Sequence, residues 1–302
     1  MREAAIEVSG VSYTYDRARA LDGVTFDVGR GELFGLIGPD GAGKSTLYSI
    51  LATLAEPGEG SAKISGLDVV TDSRRLRSVI GYMPEKFSLY PDMSVMENLR
   101  FFASLYGTSV EECYQLIEPV FRQLARFPDR MAGALSGGMK QKLALSCALA
   151  HRPSVLLLDE PTTGVDAVSR SEFWEVLRAL RDSGMTILVS TSYMDEASLC
   201  DRVAMINNGR VFATDTPEAL VSCMDGSLYE ARSAEMFRLL GVLRSTPGVA
   251  DCYTFGASIH LAVTDDFDSE AAKRRLAAAG IPDADITPAK ATIEDLFIKL
   301  TS

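Results

Sequence analysis

The chain has 302 residues, 47% of them hydrophobic and 24% charged, a length that allows one large domain with an appendage or two domains with real cores. Its formal net charge of −11 argues against nucleic acid as a partner, because proteins that grip nucleic acid show a basic patch or stripe. The five cysteines, Cys113, Cys147, Cys200, Cys223 and Cys252, are widely spaced and form no CxxC pair, which fits free thiols in a reducing cytosol rather than a zinc site or disulfide framework.

The opening MREAAIEVSG lacks the apolar core of a signal peptide, and no apolar run approaches the ~20 residues of a membrane span. Any work at a membrane is therefore expected to need another chain. Short strands are predicted at Ala5–Val8, Val11–Tyr15, Val24–Val28 and Leu33–Ile37. The last, LFGLI, is continuously apolar, as a buried strand would be. It feeds GPDGAGKST and then LYSILATL, whose apolar spacing predicts a helix; strands follow near Ala62–Ser65 and Val79–Met83.

From about Glu85 to Ala150 the pattern turns helical. Ser94 precedes VMENLRFFASLYG, which Gly107 ends, and Ser109 precedes VEECYQLIEPVFRQLARF. A third helix runs from LSGG to Ala150. Strand and helix then alternate: VLLLD, a helix over Ser169–Ser183 stopped by Gly184, TILVST, a helix from Met194, RVAMIN, a hairpin at NNGR, and VFATD. Such alternation predicts a mostly parallel sheet with helices packed on it. After about Asp225 the order strand–helix–strand–strand–helix–strand suggests a small ferredoxin-like unit. Its strands are SLYEARS, VADCYTFG, SIHLAVTD and ADITPAKATI, and IEDLFIKL closes the chain.

Gly38, Pro39, Asp40, Gly41, Ala42, Gly43, Lys44, Ser45 and Thr46 form a phosphate cradle of the pattern G-x-x-x-x-G-K-[ST], placed between an apolar strand and a helix. Its glycines let backbone N–H groups turn inward, and the helix adds its positive end. Lys44 would reach the β- and γ-phosphates of a nucleotide, and Ser45 would ligate Mg²⁺. VLLLDE is the matching second element: Asp159 ends a buried strand where a carboxylate can hold Mg²⁺, and Glu160 is placed as general base for the attacking water.

Leu135-Ser136-Gly137-Gly138-Met139 resembles the LSGGQ signature of ABC ATPases, with Met139 where Gln is usual. The resemblance covers roughly residues 5 to 222. It implies an α/β P-loop ABC cassette: a RecA-like core with an antiparallel β subdomain and a helical subdomain at about 86–150. The cassette spans 1–224, and 225–302 form a small C-terminal α+β domain. The ligands it implies are ATP and Mg²⁺. It also implies head-to-tail docking of two cassettes, each bringing Ser136, Gly137 and Gly138 to the other's ATP. Tyr15, with Tyr13 as the alternative, sits where the family stacks adenine, and Asp166 sits where the family's D-loop faces the partner cassette. The segment KFSLYPDM, with Phe87, Leu89 and Tyr90, follows the position at which the family receives a separate transmembrane permease. The tail TPAKATIEDLFIKLTS resembles the endings of drug-resistance exporter ATPases. The place this implies is cytoplasmic, peripheral on the inner face of the membrane.

Three positions depart from the family. Asp40 stands where Asn is commonest, Glu85 where the Q-loop carries Gln, and Ser192 where the switch histidine belongs. The two histidines, His151 and His260, lie elsewhere in the sequence. Glu85 can still ligate Mg²⁺ but adds a negative charge near the γ-phosphate. Two like charges ~5 Å apart at an effective dielectric of ~20 repel by roughly 3 kcal/mol. A serine hydroxyl carries no positive charge. These changes together suggest a site that binds ATP and hydrolyses it poorly, as in the first cassette of tandem-cassette exporters, with a different second cassette favoured over an identical one. The competing expectations are a non-hydrolysing structural subunit and a soluble ABC ATPase outside transport.

Overall fold

The computed structural model describes residues 3–224 and 226–301. The chain divides into two compact units, residues 1–217 and 218–302. Asp225, near which the sequence places the start of the second unit, lies outside the described residues.

The first unit opens with an antiparallel sheet. Its strands are β1 (Ala4–Tyr15), β2 (Ala18–Gly29), β4 (Glu59–Ile64) and β5 (Leu67–Asp68), in the order β2-β1-β4-β5; β3 (Leu33–Ile37) and α1 (Lys44–Leu51) intervene in the chain. The two strands expected at Ala5–Val8 and Val11–Tyr15 are one strand. Its register shifts between Val8 and Val11, where Gly10 has φ 62°, so a bulge interrupts the alternation that reads as a gap in the sequence. The short helix α2 (Ser73–Leu76) leads to β6 (Ile80–Met83).

The helical region comprises α3 (Val95–Leu105), α4 (Val110–Phe121) and α5 (Gly137–Leu149). Ser94 and Ser109 each form a full capping box with the glutamate three residues on, Glu97 and Glu112. The second helix is shorter than its periodicity suggests: α4 stops at Phe121, and Leu124–Arg126 form a 3-10 turn that buries Leu124. The backbone leaves helical geometry at Phe127 (φ −135°, ψ 50°), where Pro128 disfavours it.

A six-stranded sheet completes this unit with β7 (Val155–Leu158), β8 (Thr186–Thr191), β9 (Arg202–Asn207) and β10 (Arg210–Asp215), in the order β10-β9-β3-β8-β7-β6. All neighbours are parallel except the β9–β10 hairpin. Helix α6 (Ala167–Asp182) joins β7 to β8. The helix expected from Met194 is a 3-10 turn, Met194–Leu199, whose inward residues are Glu196 and Ala197. The core contains Ile6, Val8, Val24, Val28, Leu36, Leu47, Tyr48, Ile50, Leu157, Leu188 and Ile206, so α1 is enclosed by side chains of both sheets. That enclosure fixes the loop between β3 and α1 at the carboxyl ends of the parallel strands, where open α/β sheets place their ligands.

Helix α7 (Pro217–Ser222) opens the second unit, which continues as β11 (Ser227–Arg232), α8 (Met236–Leu243), β12 (Val249–Phe255), β13 (Ser258–Val263), α9 (Ser269–Ala278), β14 (Asp285–Ala289) and α10 (Ile293–Thr301). The sheet order β12-β13-β11-β14, antiparallel throughout, is the ferredoxin-like arrangement. Its own core includes Ala231, Leu239, Leu243, Ile259, Leu261, Leu276 and Ile286. Among the described residues no helix is long and apolar enough to cross a membrane. All five cysteines are free, and four are buried, Cys223 being exposed.

Candidate active site

Strand β3 hands the chain to α1 through Gly38–Gly43. Two of these glycines are required by close approach as well as by the exposure of N–H groups. A Cβ on Gly38 would lie 2.2 Å from Ile206 O, and one on Gly43, which has φ +104°, would lie 2.5 Å from Ala20 O. The loop is pinned from outside: Gly38 N donates to Thr191 O at 3.3 Å, and Gly209 N donates to Ala42 O at 3.0 Å. Lys44 is buried at the start of α1. Its Nζ donates to Gly38 O at 2.6 Å and Pro39 O at 3.0 Å, and forms an ion pair with Glu160 Oε1 at 2.9 Å. Asp40, Gly41, Gly43, Lys44, Ser45 and Thr46 line a cleft of about 380 Å³ with Glu85 and Glu160. This is a cradle of glycine backbone held tightly against Ile206 and Ala20, with one ammonium group at its base, and it fits the phosphates of a nucleotide.

Asp159 leaves the end of β7 almost fully buried. Burial holds its carboxyl above the ordinary range, with bonds from Ser190 and Ser45 opposing the shift. Ser190, on β8, serves both acidic residues. Its Oγ donates to Asp159 Oδ1 at 2.7 Å and accepts from Glu160 N at 2.9 Å. Glu160 adopts φ 49°, the left-handed region that non-glycine residues avoid. Its Oε2 accepts from Thr163 Oγ1 at 3.0 Å, Ser192 N at 3.2 Å and Ser192 Oγ at 3.4 Å. Three donors from two residues thus hold a side chain on strained backbone, a combination typical of functional sites. Glu85 is exposed at the cleft, yet its field is felt nearby: burial, then Asp159, then Glu85 push the Tyr82 phenol up to about 12.

The structure therefore gathers the loop residues 38–46, Glu85, Asp159, Glu160 and Ser192 at one place. It does not bring Ser136, Gly137 and Gly138 into that cleft. Ser136 caps α5, its Oγ accepting from Met139 N at 3.4 Å. The two glycines let this helix approach the Gly164–Ser169 segment: a Cβ on Gly137 would be 3.2 Å from Gly164 O, and one on Gly138 only 2.7 Å from Ser169 Oγ. Asp166 caps α6 through Ser169 N at 3.0 Å. Tyr15 is 50% exposed and meets Tyr13 edge-on at 4.7 Å, whereas Tyr13 packs on the core, so Tyr15 is the ring left open for stacking. Of the three apolar residues after Glu85, Leu89 is buried and Tyr90 packs edge-on against Phe101. Phe87 lines a separate cleft of about 360 Å³ with Tyr106, Gln141 and His151. Ser190, Thr163 and Glu196 escape a reading of the sequence. Their only signal is polarity at the end of an apolar strand or inside a turn.

A family model described as ABC transporter matches residues 21–163, from β2 through the phosphate loop and signature to just past Glu160. The Nod factor export ATP-binding protein I of Paraburkholderia xenovorans is 41% identical over 225 residues, covering 74% of each chain. The chain belongs to the ABC transporter ATP-binding family. Homologous domains of this family are ATPases coupled to transport. The probable multidrug ABC transporter ATP-binding protein YbhF of Escherichia coli is 41% identical over 274 residues, 89% of this chain and 47% of that protein. The chain thus spans about half the length of that relative. A solved ABC cassette, a dimer in a post-hydrolysis state bound to ADP and Pi, superposes with a TM-score of 0.63 at 27% identity, over 70% of this chain and 98% of the other.

Proposed function

We propose that this chain is the ATP-binding subunit of an ABC exporter, acting on the inner face of the membrane through a separate permease. Gly38–Thr46 would cradle the phosphates and Tyr15 would stack on the base. Lys44 would exchange its bonds to Gly38 O, Pro39 O and Glu160 for phosphate oxygens. Ser45, Asp159 and Glu85 would hold Mg²⁺. Among the described residues no three His, Cys, Asp or Glu side chains gather as a self-sufficient metal site, which fits an ion carried partly by the nucleotide's own oxygens. When bound, the metal would supply charge neutralisation along the phosphates. Ser136, Gly137 and Gly138 would serve the ATP of a second cassette docked head to tail, and the cleft beside Phe87 would receive the permease.

We further propose that the chain's own hydrolysis is weak and that a different, fully equipped cassette is its preferred partner. The observation that carries this reading is the contact of Ser192 with Glu160. At the point where the family presents an imidazole, this chain offers a backbone N–H and a hydroxyl, and it adds the Glu85 carboxylate nearby. Neither group brings positive charge to the γ-phosphate. The test is the steady-state MgATPase rate of the isolated chain and of Ser192→His. The expected result is slow turnover that the histidine raises by about tenfold or more. Turnover by the unaltered chain at the rate of histidine-bearing cassettes would refute the weakened site and leave the exporter assignment intact.

A further inference from the structure

Glu196 lies in the 3-10 turn Met194–Leu199 and is only 2% exposed. A carboxylate enclosed to that degree is costly unless its oxygens are satisfied. Here they are met by two hydroxyls from two other segments. Thr162 Oγ1 donates to Oε1 at 2.8 Å and to Oε2 at 3.1 Å, and Thr191 Oγ1 donates to Oε2 at 2.5 Å. Among the described residues a single cation stands off: Arg170 Nε of α6 is 4.0 Å from Oε1, its guanidinium lying over the Tyr193 ring at 4.3 Å.

Each partner leads to the reacting centre. Thr162 is two residues past Glu160, and its neighbour Thr163 donates to Glu160 Oε2. Thr191 precedes Ser192, whose N–H and hydroxyl meet the same oxygen. Thr191 O accepts from Gly38 N of the phosphate loop, and Thr191 Oγ1 accepts from Tyr193 N at 3.0 Å. Arg170 stands one turn into the helix that Asp166 caps. Glu196 therefore ties together the segment carrying the general base, the segment carrying Ser192 and, through Thr191, the phosphate loop.

We propose that Glu196 is a positioning residue for ATP hydrolysis: by accepting from Thr162 and Thr191 together, it locks residues 191–193 onto 160–163 and so fixes the orientation of Glu160. It touches neither nucleotide nor metal and acts only through Glu160 and Ser192. The carboxylate form matters because both partners donate. A glutamine of the same shape keeps one acceptor oxygen and turns an NH₂ toward the other hydroxyl. That NH₂ replaces the oxygen that faces Thr162 Oγ1 at 2.8 Å and Arg170 Nε at 4.0 Å, so this side of the carboxylate loses its acceptor and a donor meets the guanidinium.

The proposal rests on the chain's being an ATPase but not on its site being weak, so Glu196→Gln is made in the unaltered chain and in Ser192→His. The expected result in the Ser192→His background is a fall in kcat of about tenfold to a hundredfold, with the affinity for a fluorescent ATP analogue within twofold and the melting temperature lowered by no more than a few degrees, so that the chain stays folded at the assay temperature. Thr162→Val should give the same split, and the double variant should fall no further than the worse single one. Hydrogen exchange of the peptide covering 190–193 should rise in Glu196→Gln of the unaltered chain, whatever its turnover, while the rest of the first unit keeps its protection. An unchanged kcat, unchanged exchange at 190–193, or nucleotide affinity falling in step with kcat would overturn the proposal. Slow turnover of the unaltered chain, or its absence, bears on the weak-site reading alone.

Discussion

Asp159 shows what a residue in such a site costs the fold. Its carboxyl is held above the ordinary value mainly by burial, so in the absence of a metal the folded chain carries a charge that the unfolded chain bears more easily. The sign follows: a group whose folded pKa is raised stabilises the fold below its unfolded value, near 3.9, and that stability is lost as pH rises through the folded value. Once ionised, Asp159 is therefore a liability to the fold in the absence of a metal. Asp159→Asn keeps an acceptor for Ser190 Oγ and removes the charge. In EDTA it should raise the melting temperature by about 2–4 °C, the equivalent of roughly 1 kcal/mol for a unit of this size. The same variant should lose Mg²⁺-dependent nucleotide binding, measured by titration with and without the metal. A lower melting temperature in EDTA would show that the Ser190 bond, not the charge, dominates.

At the level of elements, the phosphate loop, the Asp159–Glu160 pair and the serines that precede α3 and α4 were legible in the sequence, because each is a local pattern with a fixed spacing. What was not legible depends on partners distant in the chain. The Gly10 bulge hides one strand as two, and the turn Met194–Leu199 replaces an expected helix because Glu196 points inward to Thr162 and Thr191. Gly137 and Gly138 read as parts of an anion site, yet in this unit they also let α5 lie against the start of α6. Gly138→Ala would push a methyl to 2.7 Å from Ser169, and it should lower stability by about 1–3 kcal/mol, read from a urea melt. Gly138→Ala with Ser169→Gly should recover most of the loss. The same pair of helices is joined by Lys142 and Glu172 at 2.5 Å, and the bond from Lys142 holds the Glu172 carboxyl below its ordinary value. A depressed carboxyl stabilises the fold above its unfolded pKa, near 4.3, and the gain disappears as pH falls through the folded value. The stability difference between the chain and Glu172→Gln should therefore be largest near pH 7 and shrink toward zero as pH falls through the folded value.

Across the whole molecule, the two units carry separate cores, and the tail motif belongs to the second. Its Thr-Ile-Glu-Asp run resembles exporter endings, and the structure supplies a physical reason for the aspartate. Asp295 is fully buried at the start of α10. One oxygen accepts from His260 Nδ1 at 2.6 Å and from Tyr253 OH at 2.8 Å, which ties α10 to β12 and β13. The other accepts from Thr292 N and Thr292 Oγ1, both at 2.7 Å, and closes the first turn of the helix. Four donors converge on one carboxylate, so its removal strands a buried imidazole, a phenol and a helix end at once. Asp295→Ala should cost about 3–5 kcal/mol, the range for breaking a buried charged network from one side. Hydrogen exchange should locate the loss in residues 227–301 and spare β3, β7 and β8 of the first unit. Asp295→Asn keeps acceptors for some of the donors and should cost less than alanine. Nucleotide binding by the first unit should stay within twofold in both variants. If exchange instead rose equally in the parallel sheet, the network would be supporting the cassette core as well as its own unit.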